Sequence, residues 1–299
     1  MSAGDRQAIA PPPPVRPAAR ATFPATRSVV IAGALALVIL LATIDPLLGL
    51  LGILGFIGAF VSGLVGVGGA IIMIPLLLYI PPVVGFDALD IRTVAAITIV
   101  QVAVAGLVGI VGHRGRIERS LVVAIGLTMT AASFAGAVAS AIVDPLVLEV
   151  VFATMATLAA VVALLRRGLT APDRAGPLGF NKPAAAVLGG GVGFLAGMVG
   201  AGGAFLLMPA MLFGLHIPMR AAVGASLGIV AISASAGLLG KVATGQIDWL
   251  LAAALVVGVI PGGMIGALVS HRTRVDNLAT VLGVVVALVA IRMWIGILA

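Results

Sequence analysis

Gly58-Ala59-Phe60-Val61-Ser62-Gly63-Leu64-Val65-Gly66-Val67-Gly68-Gly69-Ala70, with Pro75 beyond it, returns later in the chain as Val192-Gly193-Phe194-Leu195-Ala196-Gly197-Met198-Val199-Gly200-Ala201-Gly202-Gly203-Ala204, with Pro209 beyond it. One offset of 134 residues lays Phe60 on Phe194, Gly63 on Gly197, Pro75 on Pro209 and each Gly-x-Gly-Gly-Ala run on the other. Glycine permits a sharp reversal that other residues resist. The same glycine break placed twice in apolar sequence is the pattern of a chain built from two copies of one membrane unit, each with a discontinuous helix.

Composition leaves few other classes open. The 299 residues are 62% hydrophobic and 9% charged, with a mean hydropathy of +1.28. Soluble domains carry roughly 25% charged residues, so this chain cannot wet the surface of a soluble fold. Apolar residues run on for about 20 at a time, without the alternation of a membrane β-barrel. There is no cysteine, which excludes disulfide, thiolate-metal and cysteine-nucleophile chemistry. The net charge of +7 does not point to nucleic acid, because the arginines fall in short gaps between apolar segments.

Residues 1–28 read as a disordered, Pro/Arg-rich tail around Pro11-Pro12-Pro13-Pro14. The apolar run that follows leads into more apolar sequence, which argues against a cleaved leader. Apolar segments then read as 28–44, 46–66, 69–80, 92–112, 120–142, 145–165, 184–200, 203–215, 220–240, 249–270 and 277–297. A helix needs about 20 residues to cross, so 69–80 and 203–215 are predicted as half-helices or arms of hairpins turning at the glycines.

With the tail in the cytoplasm, 14 of the 17 basic residues fall inside, leaving Arg92, Lys241 and Arg292. The acids Asp45, Asp87, Asp90, Asp144, Glu149 and Asp248 fall on the other side. Asp45 and Asp87 share a side only if residues 46–80 leave and return. Each copy then holds an odd number of segments, so the second is inserted upside down. Further echoes join Arg92 to Arg220 and Thr98 to Ser226 at an offset of 128, and Ala132, Gly136 and Ser140 to Gly262, Gly266 and Ser270 at 130. The last set is a small-residue ladder for close helix packing. The expected fold is an all-α, polytopic transmembrane bundle with two inverted repeats and glycine-broken half-helices or hairpins. Its parts are the cytoplasmic tail 1–28, a first helix with repeat 1 at 29–165, a cytoplasmic linker at 166–183 and repeat 2 at 184–299.

Gly66, Gly68 and Gly69, with Gly200, Gly202 and Gly203, are the first candidates for chemistry. A helix starting at such a break points unpaired N–H groups and the positive end of its dipole inward, which suits a small anion. The bland alternative is that these glycines serve only helix packing, as Gly258, Gly262 and Gly266 are read to do. Thr98, Gln101 and Ser226 are polar residues inside spans that could bind an oxyanion. Ser233 and Ser235 are read as hydroxyls bonded back to their own helix. Arg92 and Arg220 open matching spans, either as anion-attracting gates or as arginines snorkelling to headgroups; Pro75 and Pro209 are structural.

Gly224-Ala225-Ser226-Leu227-Gly228 matches Gly-x-Ser-x-Gly but lies in an apolar helix, with His113, His216 and His271 all in loops, so a nucleophile elbow is not expected. No His, Asp or Glu cluster has metal-ligand spacing, and neither a metal, a cofactor nor enzymatic activity is expected.

The Gly-Gly-Ala-to-Pro pattern, Gly214-Leu215-His216-Ile217-Pro218 leading to Ala222-Val223-Gly224-Ala225-Ser226, and the Gly115-Arg116-Ile117 and Gly245-Gln246-Ile247 loops resemble the sulfite exporter TauE/SafE family. The resemblance covers about residues 55–297. The first half departs from it, with about six extra residues around Pro81–Asp90 and Ala96-Ile97-Thr98 where the family favours Gly-x-Ser. It implies an anion carrier for sulfite, sulfonates and related sulfur-containing organic anions. The expectation is therefore a multi-pass inner-membrane secondary transporter, N-terminus cytoplasmic, whose partners are the lipid bilayer and a small anion. An anion channel or a non-transporting scaffold subunit is the alternative.

Overall fold

A computed structural model describes residues 25–65, 70–112, 119–165, 181–215, 217, 219–270 and 275–298. The described residues are helical and contain no strand. In chain order the helices are α1 (Ala25–Ile44), α2 (Pro46–Val65), α3 (Ala70–Val84), α4 (Ile91–Gly112), α5 (Arg119–Ala139) and α6 (Pro145–Leu165). They are followed by α7 (Lys182–Val199), α8 (Ala204–Pro209) with a π-helical turn at Ala210–Gly214, α9 (Met219–Ala243), α10 (Trp249–Ser270) and α11 (Val275–Leu298). Six of them are long and apolar enough to cross a membrane. Large apolar side chains stand bare on their outer faces, among them Ile39, Leu127, Leu158, Leu239 and Leu288. A soluble protein would not leave such a belt to water. Helix α1 starts three residues inside the predicted tail, at Ala25; the rest of that tail lies outside the described residues, as does most of the predicted linker.

Aspartates start four of the helices. Asp45 accepts the backbone N–H of Leu47 at 2.8 Å, Asp90 that of Arg92 at 3.0 Å, Asp144 that of Leu146 at 2.8 Å and Asp248 that of Leu250 at 3.0 Å. An N-cap carboxylate occupies an orphan donor and sits at the favourable end of the helix dipole. Pro46 and Pro145 occupy the first position of α2 and α6, where a missing N–H does no harm. This gives the uneven spread of acids a local cause.

The chain doubles back between α2 and α3 and again at Gly200–Gly203. Gly58 lies against the Met73 and Leu76 side chains, although a straight helix of that length would separate Gly58 from Met73 by ~22 Å. Gly214 lies against Leu188, where a straight helix would place them ~39 Å apart. Thus α2 with α3, and α7 with α8 and its π turn, are antiparallel hairpins.

Packing between the halves follows two matching sets of contacts. Gly55 abuts the carbonyl of Leu255 and Gly266 that of Phe60, joining α2 to α10. Gly189 abuts the carbonyl of Ile125 and Gly136 that of Phe194, joining α7 to α5. The second pair is the first carried through the sequence offsets of 134 and 130. None of these positions has room for a Cβ, so glycine is what allows backbone-to-backbone approach in the absence of a hydrophobic driving force. In both pairings the residue numbers rise together, so the helices run parallel. Between α4 and α9 they run oppositely: Gly106 meets Ala231 and Ile99 meets Gly237.

Candidate functional site

Helix α7 ends at Val199 because Gly200 turns left-handed, with φ 73°, and its N–H bonds back to Ala196. Gly202 and Gly203 follow with φ 63° and 72°. An L-residue in that region is strained, so three left-handed positions within four residues explain the composition of the run. Helix α8 then opens at Ala204 with no side-chain cap. Pro209 continues the helix at φ −60°, ψ −38°. It lacks the N–H that a helix interior uses, and the π turn follows immediately. Pro75 sits buried inside α3. Gly66, Gly68 and Gly69 lie outside the described residues.

The Gly200–Gly203 turn is enclosed by α4. A Cβ on Gly200 would strike the carbonyl oxygen of Ala95, and one on Gly202 would strike the Val102 side chain. Thr98 lies three residues after Ala95 and four before Val102, on the stretch of α4 whose residues meet the turn. Gln101, three residues further, flanks it. Thr98 is 0% exposed and Gln101 2%. Thr98 Oγ1 and Gln101 Oε1 nonetheless bond to nothing. Other helical threonines here bond back to their own helix: Thr154 to Val150 at 2.8 Å, Thr157 to Ala153 at 2.8 Å and Thr128 to Ile125 at 3.0 Å. Thr98 does not. On the adjoining α5, the buried hydroxyls of Thr130 and Ser133 are also without partners. Buried polar atoms are rarely left so; Thr98 and Gln101 lie on α4, which meets the turn through Ala95 and Val102, and Ser133 Oγ faces Gly237 of α9.

Arg92 opens α4. Its Nη2 donates to the carbonyl of Val143, in the turn between α5 and α6, while its buried Nε has no partner. Arg220 lies in the first turn of α9. Ser226 is buried in the body of the same helix, so its Gly-x-Ser-x-Gly run is no strand-to-helix turn. Ser233 and Ser235 bond to the carbonyls of Val230 at 3.2 Å and Ala231 at 2.8 Å. The three histidines lie outside the described residues.

The sequence reading overlooked Lys241, leaving it as a basic residue outside the cytoplasmic set. It is 0% exposed. Its Nζ donates to Ser140 Oγ at 2.6 Å, Gln246 Oε1 at 2.9 Å and the carbonyl of Met198 at 3.2 Å. Gln246 in turn donates to the carbonyl of Ala137 at 3.1 Å. The available signal was a lysine inside a helical apolar run, Gly240-Lys241-Val242, with no acid three or four residues away to neutralise it.

An apolar-belted helical bundle, with six helices long and apolar enough to cross a bilayer among the described residues, is a polytopic membrane protein. Comparison with known proteins gives the class its family. The family profile described as Sulfite exporter TauE/SafE matches residues 50–293. The chain is 30% identical over 253 residues to a "Probable membrane transporter protein" of Xylella fastidiosa (strain 9a5c), covering 80% of this chain and 94% of the relative. It is 32% identical over 102 residues to "Probable membrane transporter protein YunE" of Bacillus subtilis (strain 168), covering 34% of this chain and 37% of the relative. "Probable membrane transporter protein YdhB" of the same organism is 27% identical over 215 residues, covering 69% and 84%. No solved structure matches. The chain belongs to the TauE/SafE family and is a membrane transporter.

Proposed function

We propose that this transporter exports small oxyanions, sulfite or organic sulfonates, by alternating access around a site between its two glycine breaks. The observation that carries the reading is the pair of buried, partnerless polar atoms on Thr98 and Gln101 beside the Gly200–Gly203 turn. A hydroxyl can donate to an oxyanion, and a half-turn of the glutamine amide presents its N–H groups. Neither carries the desolvation cost of a charge. Gly66, Gly68, Gly69 and Ser226 would form the equivalent surface in the first break, with Arg92 and Arg220 at the two mouths.

The helix directions support two inverted halves. Helices α5, α7 and α9 run parallel to one another and opposite to α4. The five-residue connection 244–248 suits a reversal from α9 to α10, and α2 runs with α10. With that reversal the equivalent helices α2 and α7 would point in opposite directions, the arrangement that lets one rocking motion expose a central site to either side. The basic residues favour a cytoplasmic N-terminus in the inner membrane. Export of an anion is driven by the interior-negative potential without a proton relay.

The test is flux through proteoliposomes. Labelled sulfite, sulfoacetate and sulfate are offered in turn, and saturation and counterflow are measured. Saturable, counterflow-competent transport of sulfite or sulfoacetate is expected. A non-saturating conductance would indicate a channel, and the absence of flux for all three would sink the proposal.

A further inference from the structure

The outlying lysine has a charge that its hydrogen bonds do not require. Lys241 Nζ gives its three N–H groups to a hydroxyl, an amide oxygen and a main-chain carbonyl, all neutral. Among the described residues no carboxylate pairs with it. Tying α5, α7 and α9 together could be done by a neutral amide at a lower desolvation cost. On the same side, Asp90 is engaged by the backbone N–H of Arg92 as a helix cap, and Glu149 lies at the start of α6. Neither forms an ion pair with Lys241.

Its place in the fold gives the charge a use. Met198, which accepts from Nζ, is two residues before Gly200. Lys241 also lies one helical turn beyond Gly237, which faces Ile99 on the antiparallel α4. That register sets Lys241 level with Ala95, whose carbonyl abuts Gly200. Thr98 and Gln101 follow one and two turns deeper along α4. An ammonium that gives its three N–H groups to neutral acceptors therefore stands beside the glycine turn, with partnerless polar atoms just beyond it.

We propose that Lys241 is the charge-selecting residue of the transport site: its ammonium, held on neutral acceptors beside Gly200, favours dianionic over monoanionic oxyanions. The proposal rests on the anion-transport reading above and adds the charge class of the substrate. With its N–H groups engaged, Lys241 acts through charge and not through direct bonds. Coulomb energy scales with the charge of the solute. Removing the ammonium should then weaken a dianion by the square of the factor that it weakens a monoanion: about tenfold for one means about a hundredfold for the other.

The experiment uses the full chain in proteoliposomes, with methanesulfonate as monoanion and methanedisulfonate as dianion. Whichever is transported is labelled, and the other is measured by competition. Lys241→Met is expected to lower the dianion's affinity by the square of the monoanion's loss, and Lys241→Arg to keep the wild-type ratio. Gln246→Ala, which removes an acceptor but keeps the charge, should leave the ratio unchanged even if it lowers stability. An equal loss of both anions in Lys241→Met, with wild-type transport intact, overturns the role of Lys241 and leaves the transport reading standing. Wild-type protein that neither moves nor binds either anion ends the proposal for Lys241, and the flux of sulfite, sulfoacetate and sulfate decides the transport reading separately. Should Lys241→Met fail to give monodisperse protein, Lys241→Gln removes the charge while keeping a donor: a ratio that falls as stated upholds the proposal, and a wild-type ratio ends it.

Discussion

Thr98→Val separates a solute contact from a packing position, because the two predict opposite signs. Valine has nearly the shape of threonine and replaces the hydroxyl by a methyl. Thr98 is fully buried and Oγ1 bonds to nothing. A buried donor or acceptor without a partner costs about 1–3 kcal/mol of stability, so its removal should stabilise the solute-free protein by roughly that amount. In the loaded protein the same hydroxyl would donate to an anion. Hydrogen bonds to charged groups contribute about 1.5–3 kcal/mol, which corresponds to a roughly 10- to 150-fold loss of apparent affinity at about 1.4 kcal/mol per decade. The variant should therefore melt higher and transport less well at low substrate concentration. Thermal unfolding in detergent gives the first quantity, and concentration-dependent flux in proteoliposomes the second. A lower melting temperature, or unchanged flux, would refute the assignment of Thr98 to the site.

Five further substitutions, in three comparisons, probe the turn and its surroundings. Gly200→Ala should destabilise by about 2–5 kcal/mol, combining left-handed strain of roughly 1–2 kcal/mol with overpacking of about 1–3. Gly190→Ala, in α7 with open space around it, should stabilise by about 0.5–1 kcal/mol. Equal melting temperatures for the two would contradict the geometry. Gly202→Val, whose side chain would meet Val102, and its counterpart Gly68→Val should each abolish sulfite flux; full activity in both would remove the glycine breaks from the mechanism. Asp144→Ala should cost about 0.5–2 kcal/mol through loss of the α6 cap while leaving substrate preference unchanged, as read by melting and by competition between sulfite and sulfate.

Much of this architecture was legible locally. Continuous apolar runs gave helices, and their observed ends differ from the expected ones by a few residues: α9 runs on to Ala243 and α3 continues through Pro81 and Pro82 to Val84. The left-handed turn was legible as Gly200-Ala201-Gly202-Gly203, because few residues other than glycine accept that backbone. Thr98 and Gln101 stood out as polar residues in an apolar span. That their helix packs on the turn did not follow from their positions, since about a hundred residues separate Thr98 from Gly200. Lys241 was missed for the same reason. Its partners Ser140 and Met198 lie 101 and 43 residues away, and Ser140 had been read only as one rung of a small-residue ladder.

The amino-acid order by itself determined an all-helical, lipid-embedded chain, its duplicated glycine pattern and the family. These depend on composition, on the length of apolar runs and on what glycine alone permits, all of which are local. Tertiary structure alone decided which polar atoms converge and where an isolated ammonium is held. A lipid-facing side chain and a core-facing one are both apolar, so such helices carry little amphipathic signal of which face turns inward. Register between helices is set by backbone contacts such as Gly136 on Phe194 and Gly266 on Phe60, and these exist only once distant parts of the chain have packed.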